Sequence, residues 1–348
     1  MGTSTTSAVT TKYDGESAFP DVAVPTSTAD SSVRVAVTIV LVLGPVAGLV
    51  VAAMLLWQRA FTITDLVLAV IFYFVTGLGI AIGFHRGLTH RSFTMRGPFK
   101  VFLTVAGSMA FEGAVNDWVA THRRHHAFTD RPGDPHSPYR YGTSLSGQIR
   151  GLLYAHVGWL LVNDPTSVAR YAPDLLEDRT VTRVSRAFPL LCVVSLALPF
   201  ALGWAISGTL FGGLTAFIWA GLARVALLQH VTWSVNSLCH VFGNRPYETR
   251  PFDRATNFWP LAFVSFGESW HNGHHSAPSC ARHGRGRWQF DLAAETIRGC
   301  EALHWVSGVR WSPDGPRAAK AAPQPTPPQR ELPMLQPATQ ENRETPPS

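Results

Sequence analysis

Residues 187–223, AFPLLCVVSLALPFALGWAISGTLFGGLTAFIWAGLA, run from Arg186 to Arg224 without a charged side chain, 37 residues in all. At about 1.5 Å of rise per residue, a single helix of that length would overshoot a bilayer core roughly 30 Å thick. Ser207-Gly208-Thr209 supplies a turn near the middle, so the stretch reads as two membrane spans, about 187–206 and 210–230. Working outward, residues 35–58 carry no charge between Arg34 and Arg59, and Pro45 predicts a kink there. Another apolar run covers residues 66–84, between Asp65 and His85. The count is four spans. Residues 99–115 are apolar but short and carry Lys100 and Glu112, which predicts a helix lying at the interface. A fifth crossing there would put the first and second histidine groups described below on opposite membrane faces.

Composition agrees: 46% of residues are hydrophobic and 15% charged, against about 25% charged in ordinary soluble domains. The net charge of +6 would suit a nucleic-acid binder, but the basic residues flank apolar runs and form no dense cluster. No nucleic-acid partner is expected. Residues 86–150 hold nine Lys or Arg against four carboxylates, while the loops near Gln58 and Gly208 hold almost none. The positive-inside bias therefore places 85–186 and both termini in the cytoplasm, bounded by the plasma membrane if the source is bacterial. Cys192, Cys239, Cys280 and Cys300 form no C-x-x-C pair, which argues against a disulfide framework or a thiolate zinc site. Residues 1–32, with 13 Ser or Thr, read as a disordered tail, and 313–348, with ten prolines, as another. Met1-Gly2 followed by Thr6 also fits a myristoylation pattern, but the plain tail is the reading adopted. The ordered domain is 33–312.

The redox-capable residues are histidines, and they cluster. The three boxes are His85-Arg-Gly-Leu-Thr-His90, His122-Arg-Arg-His125-His126 and His271-Asn-Gly-His274-His275; Asn236 and His240 form a sparser fourth element. A helix turns about 100° per residue, so positions i, i+3 and i+4 share one face. His122, His125 and His126 can therefore point at a common centre, as can His271, His274 and His275. His85 and His90 would sit about 140° apart on an ideal helix, so the helix is expected to end between them, at Gly87. His136, His156, His230, His283 and His304 read as solvated or singly hydrogen-bonded. Imidazole suits Zn, Cu, Fe and Ni. Nine histidines exceed what one tetrahedral zinc uses and suit two ions of higher coordination. There is no H-E-x-x-H, so a metalloprotease base is missing. A di-iron centre for O2 chemistry is the natural reading, built on nitrogen ligands in place of the Glu and Glu-x-x-His of soluble di-iron bundles. The expected class is an all-α integral membrane protein: four transmembrane helices and a cytoplasmic helical cap carrying a histidine-ligated dimetal site.

In this order the motifs resemble the membrane stearoyl-CoA (acyl-CoA) Δ9-desaturase family over about 63–311. The resemblance rests on Gly77-Leu-Gly-Ile80, the three boxes, Asp117-Trp118, Asp134-Pro135-His136, the stretch 156–161, Asn236 through Tyr247, and Gly267-Glu268. The residues after the last box, 276–284, look like the bacterial branch. The resemblance implies that His85, His90, His122, His125, His126, His240, His271, His274 and His275 ligate two irons, with Asn236 holding a metal-bound water. It implies a substrate tunnel with Tyr73 and Gly77 at its far end, Trp118 and Thr232 at the bend where the reacting carbons lie, and Trp159 near the head end. His136 looks structural. No His-Pro-Gly-Gly of a fused cytochrome b5 is present, so the electron donor is separate: a ferredoxin, a flavin reductase or a cytochrome b5 type.

The expected reaction takes two electrons and O2, removes one hydrogen from each of two adjacent methylenes of a fatty acyl thioester, acyl-CoA foremost, and leaves a cis double bond and water. Arg123, Arg124 and Arg150 are candidates to meet the anionic CoA head. The rival readings are acyl or alkane hydroxylation on the same scaffold, a non-enzymatic membrane metal carrier or sensor, and haem binding by paired histidines.

Overall fold

A computed structural model describes residues 28–58, 60–162 and 164–312. The tails proposed for 1–32 and 313–348 fall almost wholly outside those residues; only 28–32 are described, and they form the start of the first helix. Among the described residues, four helices are long and apolar enough to cross a membrane: Val35–Trp57, Ile63–Thr89, Phe188–Ser207 and Leu210–His240. Their ends follow from local chemistry. Thr62 opens the second helix with a capping box: its hydroxyl accepts from the Asp65 N–H, and the Asp65 carboxylate accepts from the Thr62 N–H. The turn between the third and fourth spans falls at Ser207-Gly208-Thr209. Gly208 takes the left-handed conformation there (φ 68°), and the Thr209 hydroxyl caps the next helix by accepting from the Gly212 N–H.

Arg224 lies inside the fourth span, as bounds of about 210–230 require, and is buried. A charge in a membrane helix is expensive unless satisfied. Here the guanidinium donates to the Ala220, Met109 and Ser195 carbonyls and to the Ser195 hydroxyl. It thereby ties the third and fourth helices to the chain after the Gly97–Ser108 helix. One sequence expectation needs correction, at Gly87. The helix does not stop there; residues Gly79–Thr89 continue as a π-helix, and the His90 N–H donates to the His85 carbonyl at 3.1 Å. An i→i+5 bond stacks residue i+5 over residue i. The i, i+5 spacing of the first box thus matches the span of a π-helical hydrogen bond, and no break is needed.

The segment 99–115 contains the helix Gly97–Ser108, only 12 residues and so about 18 Å, too short to cross. Lys100 pairs with Asp178 at 2.5 Å. Of the remaining helices, Val115–Phe128 and Leu292–Ala302 pack on the far end of the second span, and Leu145–His156 packs on the far part of the fourth. Ile80, Phe84 and Leu88 of that span meet Val115, Val119, Leu175, Leu228, Phe266 and Ile297 in one core cluster. Val119 and Ile297 are fully buried, each contributing about 2 kcal/mol of transfer free energy. The only strands among the described residues are a short antiparallel pair, Thr94–Met95 against Val306–Ser307.

Candidate metal centre

The eight box histidines and His240 come together, in two groups. His85, His90, His122, His126 and His274 form one; His125, His240, His271 and His275 form the other. Within each group the ligand atoms lie within 4.8 Å of one another. The first box stays whole, but the two H-x-x-H-H boxes are split, contrary to the common centre expected for each. In both H-x-x-H-H boxes the i and i+4 residues stay together while the i+3 residue crosses to the other group. Positions i+3 and i+4 are about 100° apart on a helix, so the two rings straddle the seam between the groups.

The rings are oriented to bind cations. A carboxylate only accepts, so each Nδ1 that touches one must carry the hydrogen. His125 donates to Asp134 at 3.0 Å, His240 to Asp130 at 2.9 Å and His275 to Asp253 at 2.8 Å. That tautomer leaves the Nε2 lone pair facing inward. The Nε2 atoms of His90, His125 and His240 are buried without a hydrogen-bond partner. Elsewhere Nε2 atoms converge: His274 on His85 at 3.1 Å and on His126 at 2.9 Å, and His275 on His271 at 3.0 Å. Converging lone pairs with protonated outer nitrogens fit a pair of metal ions. Burial and the neighbouring rings hold His122, His126, His271, His274 and His275 well below the ordinary histidine value, so these ligands are neutral at physiological pH.

A layer that the boxes do not announce lies behind His85. Glu268 meets both its Nδ1 and Arg86. Arg86, fully buried, also donates to the Ala81 and Ala281 carbonyls and to Asp291, and lies 3.0 Å from His283 Nδ1. His283 is thus part of the site's wall: of the two expected states, solvated or singly hydrogen-bonded, it takes the second, buried. His85, Glu268 and His283 lie close enough to suggest a further metal position, but the guanidinium already supplies the cation there. His136 stacks on His125 at 4.4 Å, and His156 pairs with His230 at 2.9 Å. His304 is exposed. Arg123 and Arg124 are not free for a substrate head: Arg123 holds Asp174 and the Leu88 carbonyl, and Arg124 holds Asp164 and the Gly133 carbonyl. Arg150 is exposed and sits 4.4 Å from the Tyr141 ring.

Two chambers flank the histidines and share Trp118, His122, Thr232 and Asn236. The wider, about 190 Å³, holds Trp159 and His136. It also holds Glu112, whose carboxyl burial pushes well above the usual range and which accepts from Trp233 Nε1 at 3.2 Å. The narrower, about 40 Å³, runs past His85 and His271 to Gly77 and Phe266. Of the proposed substrate residues, Gly77, Trp118, Trp159 and Thr232 line these chambers; Tyr73 lies one helical turn beyond Gly77, on a third cavity.

The sequence signature of the fatty acid desaturase family matches residues 62–299. A hex-5-enoyl-(acyl-carrier protein) acetylenase of Moorena producens is 36% identical, over 76% of this chain and 83% of that protein. An sn-1 stearoyl-lipid 9-desaturase of Anabaena variabilis is 35% identical, over 70% and 82%. An acyl-CoA C20 Δ5-desaturase of Anemone leveillei is 35% identical, over 68% and 71%. The chain belongs to the fatty acid desaturase family. It carries four helices fit to span a membrane and histidine clusters able to bind metal.

Proposed function

We propose that the protein is an O2-dependent acyl desaturase that inserts a cis double bond at Δ9 into a long-chain saturated fatty acyl thioester, with acyl-CoA as carrier. The observation that carries this reading is the pair of histidine groups set into the wall of a narrow apolar chamber. Two irons bound there would supply, with O2, the oxidising power to take hydrogens from unactivated methylenes. The chain's own residues do the rest. Asp130, Asp134 and Asp253 hold the tautomers of His240, His125 and His275. Asn236, on the wall of both chambers, would hold a metal-bound water. Trp118 and Thr232 fix the acyl chain where the chambers meet, so that one C–C bond of a featureless chain is presented. Apolar walls contribute about 0.8 kcal/mol per methylene buried. Both termini and the site lie on the cytoplasmic side, and electrons come from a separate ferredoxin, flavin reductase or cytochrome b5 type donor.

A second reading, a lipid-linked acyl substrate, is favoured by relatives named as stearoyl-lipid 9-desaturases. Gas chromatography–mass spectrometry tests both, in a host unable to make unsaturated fatty acids, with a compatible reductase and a His125→Ala control. New cis-Δ9 monounsaturated chains from the wild type alone are expected, and labelled acyl-CoA given to membranes distinguishes the carriers. Hydroxylated chains would move the assignment to a hydroxylase. No product from metal-replete protein supplied with several donors would overturn it.

A further inference from the structure

The narrow chamber ends on a side chain that no sequence motif singles out. Phe266 packs so closely on Gly77 that a Cβ there would lie 2.1 Å from Phe266 Cε2 and 2.5 Å from Cζ. The ring occupies the space any side chain at 77 would need. Its backbone is held at φ 58°, a left-handed conformation that bulky residues rarely adopt. Its N–H donates to the Phe263 carbonyl, and its own carbonyl accepts from Ala293. Behind it stand Tyr73 (ring centroids 5.6 Å) and Phe74 (5.5 Å). The Tyr73 hydroxyl is fixed by donation to the Val264 carbonyl at 2.7 Å.

Beyond this aromatic partition lies the third cavity, about 370 Å³, walled by apolar side chains including Leu49, Leu66, Val70, Trp219 and Leu227. Leu66, Val70 and Leu227 are about half exposed, so this cavity opens on the outer, lipid-facing surface. Arg224 borders it, but its guanidinium is engaged with carbonyls and Ser195. The two cavities follow each other along the same three elements. The inner one takes Gly77, Leu228 and Phe266; the outer one takes Tyr73, Leu227 and Val264.

We propose that Phe266 is the chain-length-determining residue: its ring stops the methyl end of the acyl chain, and the outer cavity is a second acyl-binding site that a longer chain enters only when that ring is gone. This rests on the acyl-desaturase reading. The residues the family pattern marks, Tyr73 and Gly77, act through Phe266 here, Gly77 by leaving room for its ring and Tyr73 by backing it.

The test is thermal stabilisation of the purified full-length protein by saturated acyl-CoAs, each two carbons longer than the last, alongside product analysis. Stabilisation of the wild type rises with length and then levels off. In Phe266→Ala the plateau moves out by two carbons or more, with affinity gaining about fourfold for each added methylene. Adding Ala69→Phe, which refills the outer cavity, restores the wild-type plateau. Should Phe266→Ala not fold, Phe266→Gly, which relieves the left-handed backbone, carries the same expectation. An unchanged plateau in a folded Phe266 variant overturns the proposal. A shifted plateau with no desaturated product from any variant leaves the plug standing and sinks the desaturase reading; desaturated product with an unmoved plateau does the reverse.

Discussion

The two histidine groups differ in what stands behind them. In the group of four, three rings are each braced by a buried or half-buried aspartate: His125 by Asp134, His240 by Asp130, His275 by Asp253. In the group of five, only His85 meets a carboxylate, and Glu268 divides itself between that ring and Arg86. Three rings of that second set, His122, His126 and His274, lie within reach of other rings through their Nε2 atoms. An anionic partner fixes the tautomer and raises ligand basicity. The comparison teaches that the group of four is pre-organised by charge, and the group of five by packing on the second span and the chamber wall.

The largest effect separates ligands from their supports. His274→Ala in one group and His271→Ala in the other should each abolish product, beyond the roughly 10–100-fold that loss of an outer partner costs. Turnover surviving in either would mean that one group is not a metal site. Next, Asp253→Asn and Asp134→Asn should each weaken metal retention about 10–100-fold in chelator competition. Glu268→Gln should cost less, because Asp291 still meets Arg86. Equal losses would erase the distinction. The smallest effect is on stability. Histidines held below their ordinary value take up protons in the unfolded chain first. Their contribution is therefore present above the unfolded pKa, about 6.5, and lost as pH falls through it. The melting temperature of metal-free protein should drop as pH falls below about 6.5. A flat profile would mean that the rings of His122, His126, His271, His274 and His275 are hydrated.

Much of this was legible in the sequence because hydropathy and helical period are local. Three charge-poor runs, the longest of them divided at a Ser-Gly-Thr turn, gave four spans, and the i, i+3, i+4 boxes located the site. What stayed hidden was long-range or non-standard. The π-helix that aligns His85 with His90 leaves no propensity signal beyond their spacing. Nothing local announced what satisfies Arg224 inside the fourth span, because its partners, Met109 and Ser195, lie far off in sequence. The division of each H-x-x-H-H box between two groups depends on how separate helices cross. His283 and Phe266 stand outside any box and gain meaning only where the chain folds back on the second span; an aromatic directly before Gly267-Glu268 was the one available hint.

Metal analysis of the purified protein tests the central claim most directly. The wild type should hold two irons per chain, and His125→Ala and His274→Ala should each hold fewer. A single ion per chain, or wild-type iron content in both variants, would contradict a centre built from these two groups.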